Sequence, residues 1–131
     1  MIVPCEIAAK AIVPTIRAMI AKELSQSYKM KQDDIAERLG ITQSAVSQYL
    51  GNIRGKALDL GGVTEIEVVI KDLAYILAAG TPDARAVGRK YCETCRIIRE
   101  KRLLCQLHKR LDPLFNTKDC DLCISTSTAC L

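Results

Sequence analysis

The chain has 131 residues, enough for one small domain or a domain with an appendage. It is 49% hydrophobic with no Trp and one Phe, so its core must be aliphatic, and its net charge of +4 is compatible with nucleic acid without demanding it. The apolar runs are short and interrupted by charge, which excludes the ~20 apolar residues of a membrane span, and MIVPCEIAAKAIVP holds Glu6 and Lys10 and lacks the basic opening of a signal peptide.

Pro4 to about Ser27 reads as a helix, bent or broken at Pro14. Ile7, Ala8 and Ala11 make one apolar face, and Ile16, Met19, Ile20 and Leu24 continue it. Cys5 reads as a small hydrophobe that packs, with metal ligation as the outside alternative. Arg17 and Lys22 read as solvated, and residues 26–31 as a loop.

Gln32 to Leu50 reads as two short helices joined by a tight turn. Ile35, Ala36 and Leu39 share a face of the first; Ala45, Val46, Tyr49 and Leu50 share a face of the second. Gly40 stops the first helix because it tolerates the left-handed conformation. Ile41 plugs the corner, and Thr42 caps the second helix. Gln43, Ser44, Ser47 and Gln48 then fall on the outer face, where a solvated helix would ordinarily carry Lys and Glu. Uncharged hydrogen-bonding side chains suit base edges, where Gln pairs bidentately with adenine and Ser with several bases. The stretch resembles the helix-turn-helix of phage-repressor-like transcription regulators. In that family the glutamine opening the first helix touches phosphate and helps orient the one opening the second; the resemblance gives these places to Gln32 and Gln43. The segment Gly51-Asn52-Ile53-Arg54-Gly55-Lys56 breaks the helix, and the resemblance places Arg54 and Lys56 on flanking phosphates. Their plainer reading is charge complementing a helix dipole. The candidate DNA contacts are therefore Gln32, Thr42, Gln43, Ser44, Ser47, Gln48, Arg54 and Lys56.

Leu58 to Val63 is a connection. Thr64 to Ala79 reads as an amphipathic helix capped by Thr64, with Glu65 and Glu67 at its positive end and Gly80 ending it. Ile66, Val69, Ile70, Leu73 and Leu77 form its core stripe; Val68, Tyr75 and Ala79 make a thinner apolar stripe that suits a partner helix or the C-terminal segment. Thr81-Pro82-Asp83 starts another helix, with Thr81 as cap and Pro82 at the first position, continuing with or without a break to Leu104. Residues 89–118 carry nine Lys/Arg against Glu93, Glu100 and Asp112, a strongly basic stretch. The tail ISTSTACL reads as mobile or loosely docked, with Cys130 a spectator.

Seven cysteines without a secretion signal point to a reducing, cytoplasmic setting and to metal ligation rather than disulfides. Five of them form the pattern Cys92-x2-Cys95-x9-Cys105-x2-His108-x11-Cys120-x2-Cys123. Residues i and i+3 share a helix face, so Cys92 and Cys95 can address one centre; Cys120 and Cys123 follow a turn-forming Asn116-Thr117-Lys118-Asp119 and can fold back as a knuckle. Nearby Arg89, Lys90, Arg96 and Lys118 favour the thiolate. Zinc held by Cys92, Cys95, Cys120 and Cys123 fits the spacing. An iron–sulfur cluster of the [4Fe–4S] type fits it equally, with Cys105 competing for a place. His108 alone is more often a surface or dipole-compensating residue than a ligand.

Taken together, PCEIAAKAIVPTIRAMIAKEL, QSAVSQYLGNIRGK, CETC, LCQLH and CDLC resemble a family of small archaeal-type regulators with a repressor-like helix-turn-helix and a C-terminal cysteine motif. The expected architecture is all-α. It comprises a DNA-binding helix-turn-helix bundle over residues 1–63, a core and dimerisation helix over 64–80, and a cysteine-rich cluster-binding segment over 81–131. The expected function is a homodimeric regulator of double-stranded DNA, not an enzyme, whose cluster senses a redox, iron or sulfur signal. A regulator with structural zinc is the first alternative and an iron–sulfur electron carrier the second.

Overall fold

Every regular element in the computed structural model is a helix, among the described residues 1–80 and 82–125. Pro4 opens α1 (Pro4–Ile7), and the Glu6 carboxylate accepts the Val3 N–H at 3.2 Å. A wider π-helical turn at Ala8–Ile12 then leads without a gap into α2 (Val13–Gln26). Of the two expected outcomes at Pro14, bend or break, the break does not occur: the helix is continuous and its irregularity lies just upstream. Pro14 has no N–H for the Lys10 carbonyl and its ring crowds that oxygen; opening the preceding turn relieves both.

The next two helices follow the sequence closely. α3 (Gln32–Leu39) ends at Gly40, whose φ of +65° is left-handed. The Thr42 hydroxyl accepts the Ala45 N–H at 3.1 Å and starts α4 (Gln43–Leu50). Ile35, Ala36, Ala45, Val46 and Tyr49 are buried where α3 and α4 pack on each other and on α2. Arg17 and Lys22, expected in solvent, have partners instead. Lys22 donates to the Asn52 side chain and Arg17 to the Tyr91 hydroxyl, because α2 runs under both loop and C-terminal helix.

α5 (Thr64–Ala78) packs on α2 and α6, with its expected stripe Ile66, Val69, Ile70, Leu73 and Leu77 buried. Thr64 is not its cap. Val63 holds that position, and the Glu67 carboxylate folds back to accept the Gly62 N–H at 3.1 Å. The start of α6 (Ala84–Glu100) also differs from expectation. Thr81 lies outside the described residues, and Asp83 is the cap, accepting the Arg85 N–H at 3.0 Å; a carboxylate one residue beyond Pro82 outcompetes the proline for the first turn. Lys90–Asp72 at 3.6 Å and Lys101–Glu65 at 3.1 Å align α6 antiparallel to α5. These pairs are largely exposed and set direction more than stability.

α6 stops at Glu100, short of Leu104. Arg102 takes a left-handed φ of +59°, and α7 (Cys105–Leu111) follows in a new direction. The Asn116 side chain accepts the Lys118 N–H at 2.9 Å, forming the expected turn before α8 (Leu122–Ser125), which packs on α6. Cys130 and the rest of the tail lie outside the described residues. One aliphatic cluster runs from Ile7 through Ile98 to Leu107. Among the described residues no helix is long and apolar enough to cross a membrane.

Candidate nucleic-acid interface and thiol cavity

The outer face of α4 meets solvent. Gln43, Ser44 and Ser47 are exposed and Gln48 is half-buried, while Ala45, Val46 and Tyr49 hold the helix from the opposite side. Gln32 is half-buried at the start of α3, and Thr42 is occupied as a cap. The loop after α4 is fixed. Ile53 and Arg54 donate their backbone N–H groups to the Gln48 carbonyl, and the Arg54 guanidinium lies 5.4 Å over the Tyr49 ring. Gly55 presses this loop onto α2. A Cβ there would sit 2.6 Å from the Pro14 carbonyl oxygen and 2.7 Å from the Ala18 Cβ. Arg54 and Lys56 are both exposed and flank the end of α4. The surrounding charge is mixed, since Asp33, Asp34 and Glu37 of α3 are exposed too.

The C-terminal cysteines gather around two adjoining spaces. All six described cysteines, Cys5 included, are thiols rather than disulfides. The larger space is a cavity of about 560 Å³ between α1, the π-helical turn and α6, reaching α8. Cys92, Cys95 and Cys123 line it, as do Arg89, Arg96 and Arg99. Cys5 lines it as well. It is exposed at the rim, so its expected role as a packed hydrophobe is not what it does.

The smaller space is about 20 Å³ and is lined by Cys105, His108, Phe115, Cys120 and Cys123. His108 is only 4% exposed, so it is not a surface residue, but it stands in the last turn of α7, the place the dipole-compensating alternative gives it. Its ring stacks on Phe115 with centroids 3.8 Å apart, and its Nε2 is buried with no hydrogen-bond partner. Arg102 donates to the Cys120 carbonyl at 2.6 Å and holds the knuckle against the turn. Cys123 belongs to both spaces. Burial pushes its thiol up; Arg99 opposes this, and Cys105, Cys120 and Cys5 add to the rise. Among the described residues no three His, Cys, Asp or Glu side chains stand together as a ligand set for one metal ion, so ligation requires these walls to close.

Tyr91 joins the two regions. Burial pushes its hydroxyl up, Arg17 opposes by charge and by hydrogen bonding, and Tyr49 adds to the rise. A residue of α6 beside Cys92 thus lies near a core residue of α4. Sequence reasoning missed Tyr91 and the contact of Gly55 with α2, and it put packing ahead of ligation for Cys5. Their partners are remote in the chain, and no periodic spacing marks them.

Compared with known proteins, the chain matches no family model, no curated protein and no solved structure.

Proposed function

We propose that the chain is a DNA-binding transcription regulator with a helix-turn-helix at α3–α4 and an iron–sulfur centre in its C-terminal half. The observation that carries the reading is the outer face of α4. It is exposed, uncharged and rich in amide and hydroxyl groups, and cations stand at its end. Gln43, Ser44, Ser47 and Gln48 read base edges, and Arg54 and Lys56 neutralise phosphates. One such helix spans too few base pairs for specificity, so two copies bind paired half-sites as a symmetric dimer. The centre sits in the larger cavity, held by Cys92, Cys95 and Cys123 together with a further thiolate. Three arginines there offset the negative charge of ligated thiolates.

A specific observation supports structural zinc as a second reading. The buried Nε2 of His108 has no hydrogen-bond partner, and its ring lines the smaller space with Cys105, Cys120 and Cys123, the residue types of a Cys3His site that would still have to draw together around an ion. Metal analysis of anaerobically purified protein separates the two. Iron with acid-labile sulfide supports the cluster, and one zinc per chain in a colourless protein supports the alternative.

DNA recognition is tested on a duplex selected from random sequence. Gln43→Ala should relax base preference by about 1–3 kcal/mol at the position it reads. Arg54→Ala should weaken all duplexes alike and flatten the salt slope by about one unit. Equal loss of specific and nonspecific binding in both variants would remove base readout from α4.

A further inference from the structure

The N-terminal segment is docked where the C-terminal cysteines are. Ile2 donates its backbone N–H to the Asp112 carboxylate, just past α7, at 3.2 Å. Pro4 begins α1, which places Cys5 in the first turn. From there Cys5 lines the 560 Å³ cavity with Cys92 and Cys95 from α6 and Cys123 from α8. Three elements remote from one another in the chain therefore bring thiols to one space. Packing does not account for Cys5, because the residue is exposed. The arrangement suits a group that takes one thiolate at each of several metal atoms, as a cluster does.

We propose that Cys5 is the fourth ligand of the iron–sulfur centre, completing the set formed by Cys92, Cys95 and Cys123. This rests on the iron–sulfur reading above. Each thiol gives up its proton as its sulfur takes an iron, and four thiolates are the usual complement of such a cluster. Cys105 and Cys120 then stay outside the cluster, on the smaller space with His108. The consequence is mechanical. The centre ties α1 to α6 and α8, and α1 runs through the π-helical turn into α2, on which α4 rests. Loss of the centre releases the start of that helix.

The test uses the full chain, reconstituted anaerobically with ferrous iron and sulfide. Iron, sulfide, visible absorption and the rate of iron loss to a chelator are compared for the parent, Cys5→Ser and Cys120→Ser. Serine is a harder donor that thiophilic metals hold less well. Cys5→Ser should lose iron at least tenfold faster than the parent, with an altered spectrum, while Cys120→Ser behaves as the parent. Hydrogen exchange gives a readout that needs no variant: loading the parent should slow exchange across residues 4–12. If Cys5→Ser matches the parent in iron, sulfide and loss rate, or loading leaves residues 4–12 unchanged, Cys5 is not a ligand although the cluster stands. If the parent itself takes up no iron and sulfide together, the iron–sulfur reading falls and this ligand with it.

Discussion

Gly55 has two separate reasons to be glycine. Its φ of +76° is left-handed, and a Cβ would enter the Pro14 carbonyl and Ala18. Gly62 has a similar φ of +83° but nothing within 4 Å of the position a Cβ would take. The pair separates strain from crowding. Gly62→Ala should cost about 1–2 kcal/mol from backbone conformation alone. Gly55→Ala should cost more and lower the melting temperature further, because backbone and helix must also shift. Equal thermal shifts for the two variants would mean that the contact with α2 carries no energy. The role of Gly40 was legible in the sequence because a glycine after an amphipathic run and before a capping threonine is a local signal. That of Gly55 was not, since the atoms it must avoid belong to α2. His108 and Cys5 were misjudged for the same reason. One was read as a surface or dipole-compensating residue and the other as packed, from local pattern, while the Phe115 ring that buries the first and the cavity wall that holds the second are brought in by the fold.

At the level of elements, α5 was read correctly where periodicity governs and wrongly where a cap does. Five apolar residues at helical spacing are buried as expected, yet the helix begins one residue early with Val63 at the cap position and no side-chain cap, while Glu67 reaches back to the Gly62 N–H. The other face of α5 carries Tyr75 at 68% exposure and Val68 at 53%, with Ala79 exposed beyond them. Lys71 and Asp72 lie between and are exposed, so two charges of opposite sign interrupt the apolar stripe. If a second copy covers this face, Tyr75→Glu and Val68→Glu each bury an unpaired charge in the interface and leave the monomer's core untouched. Sedimentation should then report half the parent's mass with unchanged helical circular dichroism. Unaltered mass in both variants would take the stripe out of any interface.

Across the whole molecule, the cavity and α4 are joined by a short chain of contacts. Cys92 follows Tyr91; the Tyr91 hydroxyl accepts from Arg17 of α2 and lies near Tyr49 of α4, whose ring carries Arg54 above it. If the proposed centre ties Cys92 and Cys95 of α6 to thiolates on other elements, its loss shifts α6, and Tyr91 is placed to pass that shift to the helix proposed to read DNA. Coupling of this kind is commonly worth about 1–3 kcal/mol, or a 5–150-fold change in affinity. DNA affinity should therefore differ between loaded and chelated protein without vanishing in either, because α2, α3 and α4 keep their own aliphatic core. Linkage requires the converse: saturating duplex must change the ease of removing the centre in the matching direction. Tyr91→Phe keeps the ring and removes the oxygen that accepts from Arg17. It should leave loading intact and shrink the affinity difference between the two forms. The measurement is salt-matched duplex binding for loaded and chelated forms of parent and variant. If parent affinity is the same with and without the centre, the centre is structural and no sensor. If the difference is full-sized in Tyr91→Phe, the signal reaches α4 by another route, and the tether from Cys5 through α1 into α2 is the one left by the geometry.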